Sequence, residues 1–176
     1  QWNGPYAAVR GANLLIKAVQ SAGTVLPTPI SAGEKSAIYG YARTIAALSY
    51  LRVIESRGTR GAPIQTNADS IVPIRCEPAV LSYVSALLDS AATDLRAAGN
   101  TPMPFQLPSG FAGFTVADAP SGTDFLQFNR ALKSRVERYR GFLQLEVAGA
   151  STAAPDQAAL QAALTAIDAS FVNATP

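Results

Sequence analysis

The chain has 176 residues, of which 48% are hydrophobic and 15% charged, with a formal net charge of +2, no histidine and one cysteine. That balance describes a globular chain, long enough for one domain and for burying about two-thirds of its unfolded surface, and argues against disorder. It excludes Ser-His and Cys-His relays, a Cys/His zinc site and an intrachain disulfide, and it lacks the clustered basic excess of a nucleic-acid footprint.

Residues 5–22 read as a first helix. Pro5 suits a first turn, and Tyr6, Val9, Ala12, Asn13, Ile16 and Val19 form an inward stripe. Gly23 is a stop, and Pro27 and Pro29 bar helix through the turn that follows. Ser31 with Glu34 three residues on is a capping-box pattern. It opens the stretch the rest leans on, Lys35 to Arg57, which is apolar on nearly all sides and so reads as a central, buried helix. Its Gly40, Ala42, Ala46 and Ala47 let neighbouring helices come close.

Residues 58–78, rich in Gly, Pro and Asn, read as an extended connection with short pieces at Pro63-Ile64 and Val72-Pro73-Ile74. Residues 79–97 carry the cleanest helical period: Val80, Tyr83, Val84, Leu87, Leu88, Ala91 and Leu95. Residues 99–124 form the longest irregular stretch, yet contain Phe105, Phe111 and Phe114. Loops of this length are functional or disordered, and three phenylalanines argue against disorder. A fourth helix spans 125–148, with Asp124 near its N-cap and Phe128, Leu132, Val136, Tyr139 and Leu143 as its seam. A fifth spans 155–171, opened by Pro155, with Leu160, Leu164, Ile167 and Phe171 as its stripe. The predicted fold is an all-α, antiparallel array of about five helices over 1–176, tetratricopeptide-like in its hairpins, with two long irregular loops.

Few residues offer chemistry. Asp89 and Asp94 share a helix and read as solvated surface; Asp118 and Asp124 share a loop without calcium-loop spacing. Gly58-Thr59-Arg60-Gly61 is a phosphate-loop fragment without the Gly-Lys-Ser/Thr that completes one, and reads as a turn. Cys76, beside Arg75, reads as a structural or incidental thiol. Arg130, Lys133, Arg135, Arg138 and Arg140, set against Glu137 and Glu146, give the 130–146 segment a net +3 and read as a solvated helix face. The candidate ligand-binding residues are Phe105, Phe111, Phe114 and Trp2, whose rings can stack on sugar faces but whose commoner role is packing. No catalytic residue, metal ligand or cofactor site is assigned.

In order, four blocks resemble the helical part of SusD/RagB-type proteins: Trp2…Tyr6-Ala7-Ala8-Val9-Arg10-Gly11-Ala12-Asn13-Leu14-Leu15; Gly40-Tyr41-Ala42-Arg43…Ala46-Ala47-Leu48-Ser49-Tyr50-Leu51…Gly58…Gly61-Ala62-Pro63-Ile64; Tyr83-Val84…Leu87-Leu88-Asp89…Asp94-Leu95…Ala98; and Phe125-Leu126-Gln127-Phe128-Asn129-Arg130-Ala131-Leu132-Lys133-Ser134-Arg135-Val136. The resemblance implies a non-catalytic nutrient-binding protein of the outer-membrane surface that works with a TonB-dependent transporter and takes a glycan or peptide ligand. It departs from the family in length and in lacking a lipidated N-terminal Cys; Cys76 lies mid-chain. The chain begins QWNGPY, without Met or the basic start and apolar stretch of a signal peptide, and reads as processed or as an interior piece of something longer. The alternative is a helical-repeat scaffold or self-assembling subunit, a homo-oligomer, that makes only protein contacts. Neither reading calls for nucleic acid, a cofactor or a transmembrane segment, since no apolar run reaches the ~20 residues that span a bilayer.

Overall fold

The fold is organised by its second helix, and that helix starts where the side chains dictate. Ser31 Oγ accepts from the Glu34 amide at 3.2 Å and Glu34 Oε2 accepts from the Ser31 amide at 2.8 Å, so two orphan donors of the first turn are satisfied together. The computed structural model describes residues 3–22, 30–64, 72–117, 124–148 and 154–172, with backbone alone over 144–148. Among them are five helices: α1 (Asn3–Ser21), α2 (Ala32–Arg57), α3 (Glu77–Ala98), α4 (Phe125–Ala148) and α5 (Gln157–Asp168).

Each helix packs chiefly on its neighbours in sequence, and each contact runs antiparallel. Tyr6 of α1 meets Tyr50 of α2, while Ala12 sits beside Ala42 and Ala46. On α2 and α3, Gly40 faces Leu95, Arg43 pairs with Asp94, and Tyr50 meets Tyr83 edge-on. On α3 and α4, Asp89 meets Arg130 and Ser85 meets Glu137. Gly40 shows why α2 needs small residues: a Cβ there would lie 2.5 Å from Leu95 Cγ. At the other joint a Cβ on Gly141 would lie 2.4 Å from Leu160 Cδ2, and the Asp156 amide donates to Gly141 O at 2.9 Å.

Two apolar centres fill the array. One gathers Val9, Tyr50, Leu51, Ile54, Val80, Val84, Leu88, Val136 and Leu143 from the first four helices. The other, at the opposite end of α2, gathers Ala37, Leu95, Val116, Ala117 and Phe125. After α2 come a 3₁₀ turn, Gly58–Arg60, and a two-residue antiparallel ribbon of β1 (Ala62–Pro63) with β2 (Ile74–Arg75). Gly61 holds φ +65°, and a Cβ there would stand 2.0 Å from Arg75 O, so the chain can close this ribbon only with glycine. Asp124 caps α4, its Oδ1 accepting from the Gln127 amide at 2.6 Å. Asp156, one residue after the expected Pro155, caps α5 through the Ala158 and Ala159 amides.

The fifth helix corrects one expectation. Its buried face is Ala159, Ala163 and Ala166, whereas Leu164 is 57% and Phe171 49% exposed. Leu160 packs on Gly141 and Ile167 is half-buried, so the expected stripe holds for these two residues, while Leu164 and Phe171 are turned outward and the alanines fill the closest contacts. No helix among the described residues is long and apolar enough to cross a membrane.

Candidate functional site: a polar seam and its cleft

On α4, Arg130, Lys133, Glu137 and Arg140 recur at intervals of three and four residues and so share one face. On α3, Ser85 and Asp89 do the same. Antiparallel packing lays these faces together, so the expectation of a solvated basic face holds for Arg135 and Arg138, which are exposed, and fails for Arg130 and Lys133. Arg130 is 8%, Lys133 7% and Glu137 1% exposed. Asp89 and Asp94, expected as free surface, are both in ion pairs.

The seam is closed by directed hydrogen bonds. Lys133 Nζ donates to Ser85 Oγ at 2.7 Å and Asp89 Oδ2 at 2.6 Å, and stands 2.8 Å from Glu137 Oε1. Glu137 also accepts from Ser85 Oγ at 2.5 Å and from Arg140 Nη1 at 2.7 Å. Arg130 Nη1 reaches Asp89 Oδ1 at 3.0 Å, Nη2 reaches Leu88 O at 2.6 Å, and Nε reaches Asn129 Oδ1 at 2.8 Å. Asn129 donates in turn to Thr44 Oγ1 at 2.8 Å, and Thr44 donates to Gly40 O at 2.8 Å, so the chain of bonds runs back into α2. Among the described residues no buried side-chain polar atom is left without a partner. That is the condition under which buried charges are tolerable.

These bonds set the local electrostatics. Burial alone raises the Asp89 carboxyl's pKa, but the hydrogen bonds and charges of Lys133 and Arg130 outweigh it and hold the pKa below its usual value. At Asp94 burial wins over Arg43, and the pKa is raised. Burial lowers the pKa of the Arg130 guanidinium; Asp89 opposes that shift and the positive charge of Arg96 adds to it.

Beside the seam, α3, α4 and α5 enclose a cleft of about 410 Å³. One side is Asp89, Arg96, Arg130 and Lys133; the α5 side is Gln161 and Thr165 over Ala162, Ala166 and Ala169. Three cations thus face one carboxylate, and among the described residues Arg96 forms no salt bridge. The volume lies in the small-molecule range of roughly 300–1,000 Å³. The arrangement is suited to holding an anion, with Arg130 and Lys133 fixed in place and Arg96 at the rim.

The aromatic candidates lie elsewhere. Phe105 packs edge-on against Tyr41 at 5.2 Å. Phe111 packs against Phe114 at 5.6 Å, Phe125 at 5.3 Å and Phe128 at 5.1 Å. All three are half-buried and fasten the loop to the Phe125 centre; Trp2 and Asp118 lie outside the described residues. Cys76 is exposed just before α3, and Asp124 is buried as a helix cap. No group of three or more metal-ligating side chains occurs among the described residues. Comparisons with protein-family models, with curated proteins and with solved structures return no match for this chain.

Proposed function

We propose that the chain is a non-catalytic, SusD-like nutrient-binding module of the outer-membrane surface, which takes a glycan or peptide ligand in the α3–α4–α5 cleft and works beside a TonB-dependent transporter. One observation carries this reading. Asp89 from the third block of the resemblance meets Arg130 and Lys133 from the fourth, and together they form one wall of the cleft. The second block supplies Thr44's neighbours on α2, to which Asn129 of the fourth is tied. Residues that look scattered in the chain therefore converge on one site.

The test is titration of the purified chain against a panel of glycans and peptides, beside an Ala162→Phe variant that fills the cleft. The reading expects one ligand class to bind the parent chain and to fail on the variant, with the helical circular dichroism of the two unchanged. Binding that is indifferent to the filled cleft, or turnover of a ligand by the pure chain, defeats it.

A second reading has its own observation. Leu164, Phe171 and Val172 leave apolar surface on the outer side of α5 and just beyond it. A helical-repeat scaffold that makes only protein contacts would use such a face. It predicts a concentration-dependent mass that Leu164→Ser with Phe171→Ser abolishes, with no ligand from the panel.

A further inference from the structure

We infer that the cleft between α3, α4 and α5 is a site for an acidic glycan, with a uronate carboxylate of the sugar seated between Arg96 and Arg130. The inference rests on the nutrient-binding reading and names the ligand class for that site.

Charge comes first. Arg130 is nine-tenths buried and its guanidinium is fixed by Asn129, Leu88 O and Asp89. Arg96 lines the same cleft, is exposed, forms no salt bridge among the described residues, and is near enough for its charge to act on Arg130. Two guanidiniums on the same side of a cleft repel, and an anion between them removes the repulsion. Arginine forks accept a planar carboxylate through two parallel bonds.

The rest of the lining selects a sugar. Asp89 has a side chain about half exposed and accepts hydroxyl protons, while the Gln161 amide and Thr165 hydroxyl can donate and accept. The walls are helices, whose mid-helix amides are already bonded along the helix, so a peptide could not be held here by adding a strand to a sheet edge. Ala162, Ala166 and Ala169 give the α5 side small apolar side chains, against which the C–H face of a pyranose ring can lie.

Isothermal titration of the full chain at low salt tests this with four probes: a short oligogalacturonate, its carboxyl-reduced neutral counterpart, an oligoglutamate of equal charge, and inorganic phosphate. The oligogalacturonate is expected to bind, and added salt to weaken it because the rim charges are screened. Arg96→Gln, on an exposed position of α3, is expected to weaken it about tenfold, the size of one charge-assisted hydrogen bond. Arg96→Lys keeps the charge without the fork and is expected to recover part of the loss. Equal binding of the neutral counterpart, or indifference to Arg96→Gln, overturns the acidic-sugar assignment while leaving the nutrient-binding reading intact. Equal binding of oligoglutamate or of phosphate overturns the glycan and leaves a general anion site. No binding by any probe or by the wider panel overturns both.

Discussion

Glu137 is the most exacting place to test the buried seam. It is 1% exposed and accepts from Ser85 at 2.5 Å and from Arg140 at 2.7 and 3.0 Å, with Lys133 Nζ 2.8 Å away. Glu137→Leu keeps the volume and removes the charge. Lys133, itself 7% exposed, would then keep Asp89 as its remaining anionic partner beside Ser85, and the Ser85 hydroxyl would lose its acceptor. Removing one partner of a buried ion pair costs about 3–5 kcal/mol. Because Asp89 remains at 2.6 Å from Lys133, the lower end, about 3 kcal/mol, is expected. Lys133→Met should cost a similar amount, because the buried Glu137 keeps Arg140 but loses its more buried cation. The double variant, which replaces the pair with apolar groups of similar size, should lose less than either single variant, a coupling of about 3 kcal/mol or more. Urea melts of the four proteins, with an unchanged denaturant slope, measure this directly. If the two losses add to within about 0.5 kcal/mol, the pair is not acting as one buried unit and the account of the seam fails.

Four further outcomes follow from the packing and the charges. Gly40→Ala should destabilise by about 1 kcal/mol net, since crowding against Leu95 and the Ala91 carbonyl exceeds the helix-propensity gain of the added methyl; a stabilised variant in a urea melt contradicts the close contact of α2 and α3. The lowered pKa of Asp89 adds stability that is present above its unfolded value and is lost as pH falls through the folded one, so Asp89→Asn should flatten the fall in stability below about pH 4. Asp94, whose pKa is raised, acts with the opposite sign, and Asp94→Asn should steepen that fall, read by thermal melts between about pH 5 and 3. Phe111→Ala should cost about 2 kcal/mol, less than a fully buried phenylalanine, and should leave ligand affinity unchanged because Phe111 is not part of the cleft; an affinity loss without a stability loss would return Phe111 to the site.

The helices were legible because local signals agreed with tertiary ones. The Ser31–Glu34 box marks the start of α2, and the small residues from Gly40 to Ala47 mark its buried middle. In α5 two stripes share the helical period: Leu160, Leu164, Ile167 and Phe171, and Ala159, Ala163 and Ala166. Hydropathy favours the larger side chains, but only Leu160, seated on Gly141, and the half-buried Ile167 turn inward, and the glycine that admits Leu160 lies on α4 and not in α5 itself. The charged seam was hidden for a similar reason. Arg130, Lys133 and Glu137 repeat as an exposed face would, and only their pairing with Ser85 and Asp89 on another helix marks them as buried. The readable clue was that match: a polar stripe at four-residue spacing on α3, set against a charged stripe on α4.

The same burial bears on the binding site proposed for the cleft. A cation on a free surface must surrender side-chain freedom and hydration each time it meets a ligand, at about 0.5–1.5 kcal/mol per ordered side chain. Arg130 has already surrendered both on folding, through bonds that run by way of Asn129 and Thr44 to the backbone of α2. Arg96 at the rim has not. The two therefore divide the work. On the proposed function, Arg130 and Lys133 would give a fixed wall against which a ligand is oriented, and Arg96, exposed at the rim, would supply the salt-sensitive attraction for an anion. Loosening the wall would lower affinity through the ordering cost, and removing Arg96 would lower it through lost charge. An exposed arginine beside a buried, bonded one, both lining the same cleft, is thus the arrangement that the proposed anion site requires.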